Sequence, residues 1–355
     1  MSGPETIVIP VDTLRDFLTR IFEAAGCDSE NARLNAIGVV EADLHGHHIQ
    51  GTDHIYSTVR ELRAGHLNGR AKPKVVRERA ATARVDGDGG TGHATGLFAT
   101  ELAVRKAKEA GIGAVGLVGG GDIFMLGYYA EKIARDGLVG MVFTNTHPVR
   151  VHPAGGLDRL LGTNPLAFGF PVAGGDPIVI DLATSTSAIG HVRIASYSGT
   201  PIPGDIAIDR DGNPTTDANA ALDGALTPLG GHKGFALGLA VGLLSGPVIG
   251  AVIGAELSQA LAEGEGERRR GHLFIALDPA AFGDPALNAE RTAAFVNLLK
   301  SSRKAPGVAE IRMPGERGHR LKREAQQNGV TLLASIWSNT LKIATDLGVE
   351  PPRLS

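Results

Sequence analysis

Apolar residues recur with two different periods along this chain, and the change of period sorts its elements. Near the N-terminus Leu14, Phe17, Leu18, Ile21 and Phe22 repeat at the spacing of one helix face, with Asp12 or Thr13 as candidate cap and Gly26 as stop. A second helix is expected from Asp28 or Ser29, with Leu34, Ile37, Val40 and Leu44 turned inward and Gly46 breaking it. A third covers Tyr56 to Ala64. Beyond Thr82 the pattern changes. ATARVDGDGG reads as a strand and turn, TGLFATELAVRKAKEAG as a helix and IGAVGLVGGG as a buried strand. YYAEKIARDG is another helix, and LVGMVFTNT, LAFGFP, PIVIDLA and the later GHLFIALDP are strands. A helix from Asn288 to Lys300 and a C-terminal one, capped at Ser335 and stopped at Gly348, complete the set. The alternation between Thr82 and Ala183 predicts an α/β core.

One stretch complicates a soluble reading. FALGLAVGLLSGPVIGAVIGA, from Phe235 to Ala255, carries no charge and places a glycine at every fourth position. Ser245-Gly246-Pro247 should end a helix there, and no Lys/Arg asymmetry or aromatic belt flanks it. Two short buried helices are expected, and no membrane span.

Composition narrows the classes further. Across 355 residues, 35 basic side chains stand against 38 acidic ones, which gives no electrostatic case for a nucleic-acid partner. The single cysteine, Cys27, excludes an internal disulfide and fits a cytoplasmic protein. The chain is rich in glycine and poor in aromatics, which suits an α/β enzyme better than a nucleic-acid or carbohydrate binder. ALAEGEGERRRG reads as a charged surface turn without chemistry.

Two glycine runs imitate the dinucleotide fingerprint. Gly87 to Gly92 follows a weak strand, and its aspartates would repel a pyrophosphate; Gly111 to Gly116 leads from helix to strand, the reverse of the required order. Any dinucleotide must therefore be held by another device. The chemistry concentrates in EADLHGHHIQGTDH, Glu41 to His54, which holds four of the 12 histidines. His45, His47, His48 and His54 lack helical ligand spacing and a second cluster to complete a shell, so no metal is expected. They read either as helix-end histidines or as an acid–base site.

That stretch resembles the signature of the type-2 malate/L-lactate dehydrogenase family, which reads Glu-Ala-Asp-Leu-Arg-Gly-x-x-Ser-His-Gly-x-x-Arg. VDGDGGTG, LLGTNPLAFGFP, IVIDLATS, GTPIP, ALTPLGGHKGFALGL and PGERG follow in family order. The resemblance implies a non-Rossmann, three-layer α/β fold with a helical domain from both termini. The implied division is residues 1–78 plus 305–355 for the terminal domain and 79–304 for the nucleotide-binding domain. It also implies a homodimer and NAD or NADP as cofactor. The family's cofactor contacts fall on Ile180, Asp181, Leu182, Ala183, Thr184 and Ser185, on His232 and Lys233, and on Gly315, Glu316 and Arg317.

The substrate side departs from the family. Its general-acid histidine aligns with Gln50, the preceding serine with Ile49, and the following arginine with His54. A second family histidine aligns with Asp122, and the Glu-Gly-Trp after Pro-Ile-Pro is Gly204-Asp205-Ile206. Glutamine orients a carbonyl but cannot deliver a proton as imidazolium does. His48, His54, Asp122 and His147 are the candidate replacements. The expected activity is hydride transfer to or from a C=O or C=N carbon of a small substrate, 2-hydroxy- or 2-keto-acid-like or an imine, other than malate or lactate and neutral or amine-bearing. The competing expectation is a protein that kept the fold but lost dehydrogenase chemistry, acting as a binding protein or non-redox enzyme.

Overall fold

The computed structural model describes residues 5–354. The chain runs through β1 (Thr6–Ile9), α1 (Val11–Ala24), α2 (Ser29–Leu44) and α3 (Ile55–Arg63), then enters a sheet through β2 (Lys74–Glu78) and β3 (Thr82–Gly90). Helix α4 (Gly92–Ala110), β4 (Ile112–Gly120), α5 (Leu126–Arg135), β5 (Val139–Thr144), β6 (Leu166–Phe170) and β7 (Ile178–Leu182) follow. A smaller lobe holds α6 (Ile189–Ser198), β8 (Ala207–Ile208), α7 (Ala218–Asp223) and β9 (Ala225–Leu226). The chain returns through α8 (His232–Ser245), α9 (Ala255–Ala262), α10 (Gly266–Arg269) and β10 (Gly271–Leu277). It finishes with α11 (Pro285–Lys300), α12 (Glu316–Asn328), β11 (Val330–Leu333) and α13 (Ala334–Asp346).

Seven strands form one sheet in the order β2-β3-β4-β10-β5-β6-β7. Only β3 and β4 run parallel, joined by α4. The late strand β10 inserts between β4 and β5, antiparallel to both. Without a run of parallel strands the sheet has no Rossmann switch point, so any nucleotide would have to be held elsewhere. Helices α4 and α5 cover one face, where Val85, Leu117, Tyr129 and Phe274 pack. Helix α8 covers the other, with Val241 against Phe143, Leu166 and Leu273. The result is the expected three-layer α/β arrangement. A separate core joins the termini: β1 pairs with β11, and Phe17, Ile21 and Val40 pack with Leu332 and Trp337.

Several expectations give way to specific contacts. Helix α1 starts after Pro10 with no side-chain cap, because Asp12 bonds Arg15 at 2.7 Å instead. Helix α13 starts after Leu333, and Ser335 does not cap it. Helix α11 begins three residues before Asn288, since Asp284 accepts from the Ala286 and Leu287 amides. Helix α2 is not simply amphipathic: Asn31, Asn35 and Asp43 are buried while Leu34 and Ile37 are only half-buried, because both α1 and α4 pack on it. The edge strand β2 is exposed at all five residues, so it shows no buried face to a sequence reading.

The uncharged stretch is one helix, α8, ended at Gly246-Pro247 and followed by a 3₁₀ turn at Pro247–Ile249. Its glycine face is buried, but Leu237, Leu239 and Leu243 are exposed, contrary to the buried helices expected. A Cβ at Gly238 would lie 2.7 Å from Thr184 Oγ1, which explains the small face. By length and composition alone, His232–Ile249 is the one segment among the described residues that could cross a membrane. In the first glycine run, Asp88 accepts from Asn68 Nδ2 at 3.0 Å and from the Lys72 amide at 3.2 Å. In the second, Gly113 lets β4 approach α4, where a Cβ would sit 2.1 Å from Ala103 O.

Candidate active site

The histidine-rich stretch is shaped by a buried carboxylate. After α2 ends, Gly46 turns the chain at φ +75° and two 3₁₀ turns follow, His48–Gln50 and Thr52–His54. Asp43 Oδ2 accepts from the Thr52 amide at 3.0 Å and from Thr52 Oγ1 at 2.5 Å. Its Oδ1 lies 3.0 Å from His48 Nδ1. Burial raises the Asp43 pKa, against the pull of His48 and Thr52. Asp43 thus fixes the turn and orients the His48 ring. A Cβ at Gly51 would lie 2.3 Å from Asp43 Oδ1, so glycine is required there. Gln50 Nε2 donates to Phe124 O at 3.4 Å.

The chain between β4 and α5 separates two cavities. Phe124 lines one and Met125 the other. Phe124 takes a left-handed φ of 56°, a conformation that costs about 1–3 kcal/mol. Its amide donates to Asp122 Oδ1 at 3.0 Å, and the rings of His54 and His93 pack on its own, at 4.6 and 5.1 Å between centroids.

The first cavity, about 390 Å³, brings together His54, Asp122 and His147 from three segments, with Arg270 and Glu267. Arg270 is 4% exposed and stands between two carboxylates: Nη1 is 2.8 Å from Asp122 Oδ2, and Nη2 is 3.0 Å from Glu267 Oε1. Burial would raise the Asp122 pKa, but Arg270 and the Phe124 amide hold it at about 2. Asp122 is therefore an anion at working pH, not a proton donor. Burial raises the Glu267 pKa, with Arg270 opposing. His147 is lowered to about 4 by burial and by Arg270. His54 is lowered by burial, with Asp122 pulling the other way. Arg270 and Glu267 belong to the segment read above as a surface turn without chemistry, and that reading is corrected here. Three consecutive arginines hide the fact that the last, between α10 and β10, is buried, which no local pattern signals.

The second cavity, about 360 Å³, is lined by Ile180, Asp181, Leu182, Gly315 and Arg317, together with His45 and His47. Arg317 has no carboxylate partner among the described residues. Gly315 precedes α12 at φ +91°, and a Cβ there would lie 3.0 Å from the Val179 amide nitrogen. A helix N-terminus, close glycine backbone and an unpaired cation fit a dinucleotide pyrophosphate. The other family positions divide. Asp181 Oδ2 accepts from the Gly127 amide at 2.7 Å, so its side chain anchors α5. Thr184 Oγ1 is within hydrogen-bond reach of Thr163 O, and Ser185 Oγ donates to Ser187 O. The Leu229 amide donates to Thr184 O at 2.9 Å, which brings His232 and Lys233, exposed at the start of α8, beside the same strand. Ala183 is half-buried between them. Glu316 turns away, pairing with Lys300 and accepting from the Met313 amide.

Fold and paired cavities define an oxidoreductase of the dehydrogenase type that works with NAD or NADP. A family model described as malate/L-lactate dehydrogenase matches residues 9–340, and the chain belongs to that family. It is 33% identical over 352 residues to a malate dehydrogenase of Pyrococcus horikoshii, covering 97% of this chain and 96% of that one. It is 36% identical over 336 residues to a Delta(1)-pyrroline-2-carboxylate/Delta(1)-piperideine-2-carboxylate reductase of Pseudomonas putida, covering 94% and 96%. Among solved structures, malate dehydrogenase from Entamoeba histolytica superposes with a TM-score of 0.93 at 28% identity, covering 98% of this chain and 100% of that one. Relatives of both C–OH and C=N type support the oxidoreductase expectation, and a loss of redox chemistry is not favoured.

Proposed function

We propose that the enzyme reduces the C=N carbon of a small imino acid, with neither malate nor lactate as its preferred substrate. The observation that carries this reading is the Arg270–Asp122–Glu267 cluster, a single buried cation held between a buried carboxylate, Glu267, and a partly exposed one, Asp122. A dicarboxylate brought there would meet Asp122, which stays ionised. A protonated imine carrying one carboxylate suits it: the carboxylate finds Arg270 and the iminium faces Asp122. Gln50 agrees with this chemistry. Hydride addition to a carbonyl makes an alkoxide that needs a proton, whereas addition to an iminium makes a neutral amine that does not. A bound nicotinamide cofactor would supply the hydride; Arg317 and the α12 N-terminus would hold its pyrophosphate, and the side chains of the first cavity would bind and orient the substrate. The relative named as a pyrroline- and piperideine-carboxylate reductase supports the class. Loss of reduced-nicotinamide absorbance with cyclic imino acids, 2-oxo monoacids and oxaloacetate in parallel tests it. Faster turnover of the imino acids is expected; equal or faster turnover of oxaloacetate would refute it.

The same reading includes a homodimer. Helix α11 has no buried residue and exposes Phe295 and Leu298 at 60% and 65%. The exposed leucines of α8 add a second apolar face. A helix that buries nothing gains little stability alone, so a second copy of the chain is its natural cover.

A further inference from the structure

His45, Glu131 and His319 come from the end of α2, the middle of α5 and the first turn of α12, and each is at most 5% exposed. His45 Nδ1 lies 2.8 Å from Glu41 O. A carbonyl only accepts, so the proton is on Nδ1 and the lone pair of a neutral ring is on Nε2. His319 Nε2 lies 3.0 Å from Pro177 O, which puts that ring's lone pair on Nδ1. Two main-chain carbonyls thus select opposite tautomers, and both bare nitrogens are turned toward Glu131. Orientation by a backbone acceptor on the far ring nitrogen is how metal-ligating histidines are held.

His319 Nδ1 has no hydrogen-bond partner, and the one group near His45 Nε2 is a carboxylate, which like the bare ring nitrogen can only accept. His45 Nε2 stands 3.0 Å from Glu131 Oε2, and His319 Nδ1 stands 3.8 Å from Oε1. One ligand atom from each residue lies within 4.8 Å of the other two. A metal-free ion pair would need a proton on His45 Nε2 beside Arg135, whose Nε already bonds Glu131 Oε1 at 2.7 Å, and would still leave His319 Nδ1 without a partner. As neutral rings without a cation, the group would leave buried acceptors unsatisfied at a cost of about 1–3 kcal/mol each.

We propose that His45 Nε2, Glu131 Oε2 and His319 Nδ1 form a three-ligand site for a divalent transition metal, zinc by its donor set. Two imidazoles and one carboxylate suit zinc, and three protein ligands leave a coordination position open. The three residues line the second cavity together with His47 and Arg317, so the open position faces a space that also holds a cation for anions. The ligand spacing explains why the sequence shows no metal site. One ligand sits in each of three distant segments, and only His45 belongs to the histidine-rich stretch. His45 stands where the family signature quoted above has arginine.

The test reads the metal itself and does not depend on the reaction. Chelator-treated protein is titrated with Co²⁺ alone, then with Zn²⁺ as competitor. One Co²⁺ per chain is expected, with the visible absorption of a four-coordinate ion that Zn²⁺ displaces, and with a raised thermal midpoint. His45→Arg supplies a guanidinium to Glu131 and keeps the fold; Glu131→Gln keeps the shape. Both are expected to lose the band and the midpoint shift, while His47→Ala, which removes an adjacent histidine, keeps them. The proposal fails if the wild-type chain takes up no Co²⁺ at submillimolar concentration. It also fails if His45→Arg or Glu131→Gln binds it with the same spectrum.

Discussion

Gln50 makes only one weak side-chain bond, to Phe124 O at 3.4 Å, so exchange for histidine costs little structure. Gln50→His is expected to restore a proton donor and raise kcat on 2-oxo acids by roughly 10²-fold, with a smaller effect on imino acids. Steady-state assays on both classes check this. A second residue-scale prediction concerns pH. His93 and His272 are fully buried and lowered by burial from 6.5 to about 4. They are neutral in the fold and charge on unfolding, so their contribution is present above pH 6.5 and lost as pH falls toward 4. Each is worth up to about 3 kcal/mol. Asp181, raised to about 6 by desolvation of its carboxyl, has the opposite sign, weakened because the residue as a whole is exposed: its contribution is full below 3.8 and lost as pH rises through 6. Asp181→Asn keeps an acceptor for the Gly127 amide and removes that opposing term. Thermal midpoints from pH 4 to 7 are expected to show a steeper acid loss in the variant than in the parent. Cys27, pushed up to about 12 by burial, gives no thiolate to confuse such measurements.

Elements with one buried face were legible, and elements decided by tertiary contacts were not. The stripe Leu14–Phe22 marked α1 because that helix meets the core on one side. The polar helix α12 buries only His319 and has no apolar stripe to mark it, although it carries both Arg317 and His319. The same limit applies to the site. His54, Asp122 and His147 were reachable as unusual polar residues in apolar or family context, and the structure brings them to one cavity. Arg270 and Glu267 were not, because their burial is set by the insertion of β10 between β4 and β5. The contact that positions Asp122 is also nonlocal. A Cβ on Gly92 would fall 1.7 Å from Asp122 O. Gly92→Ala at the start of α4 must therefore displace the β4–α5 segment. The expected result is a stability loss of roughly 1–3 kcal/mol, with imino-acid turnover falling further than that loss explains. Denaturant unfolding and kinetics on the same sample separate the two.

For the whole molecule, a sheet packed on both faces and a separate terminal core place the cavity lined by Arg317 beside a separate polar pocket, with the strained Phe124 between them. The exposed faces of α8 and α11 predict a stable dimer. Phe295→Asp is expected to yield a monomer of lower thermal midpoint by light scattering and melting; an unchanged dimer would move the interface away from α11. The central claim, that one buried cation between two carboxylates selects an iminium over a dicarboxylate, is open to direct inspection. A crystal structure with oxidised nicotinamide cofactor and a cyclic secondary amino acid, the product of imine reduction, would show it. The ring nitrogen is predicted at about 3 Å from the Asp122 carboxylate, with the acid group on Arg270. A product whose nitrogen points away from Asp122, or whose carboxylate avoids Arg270, would contradict the account.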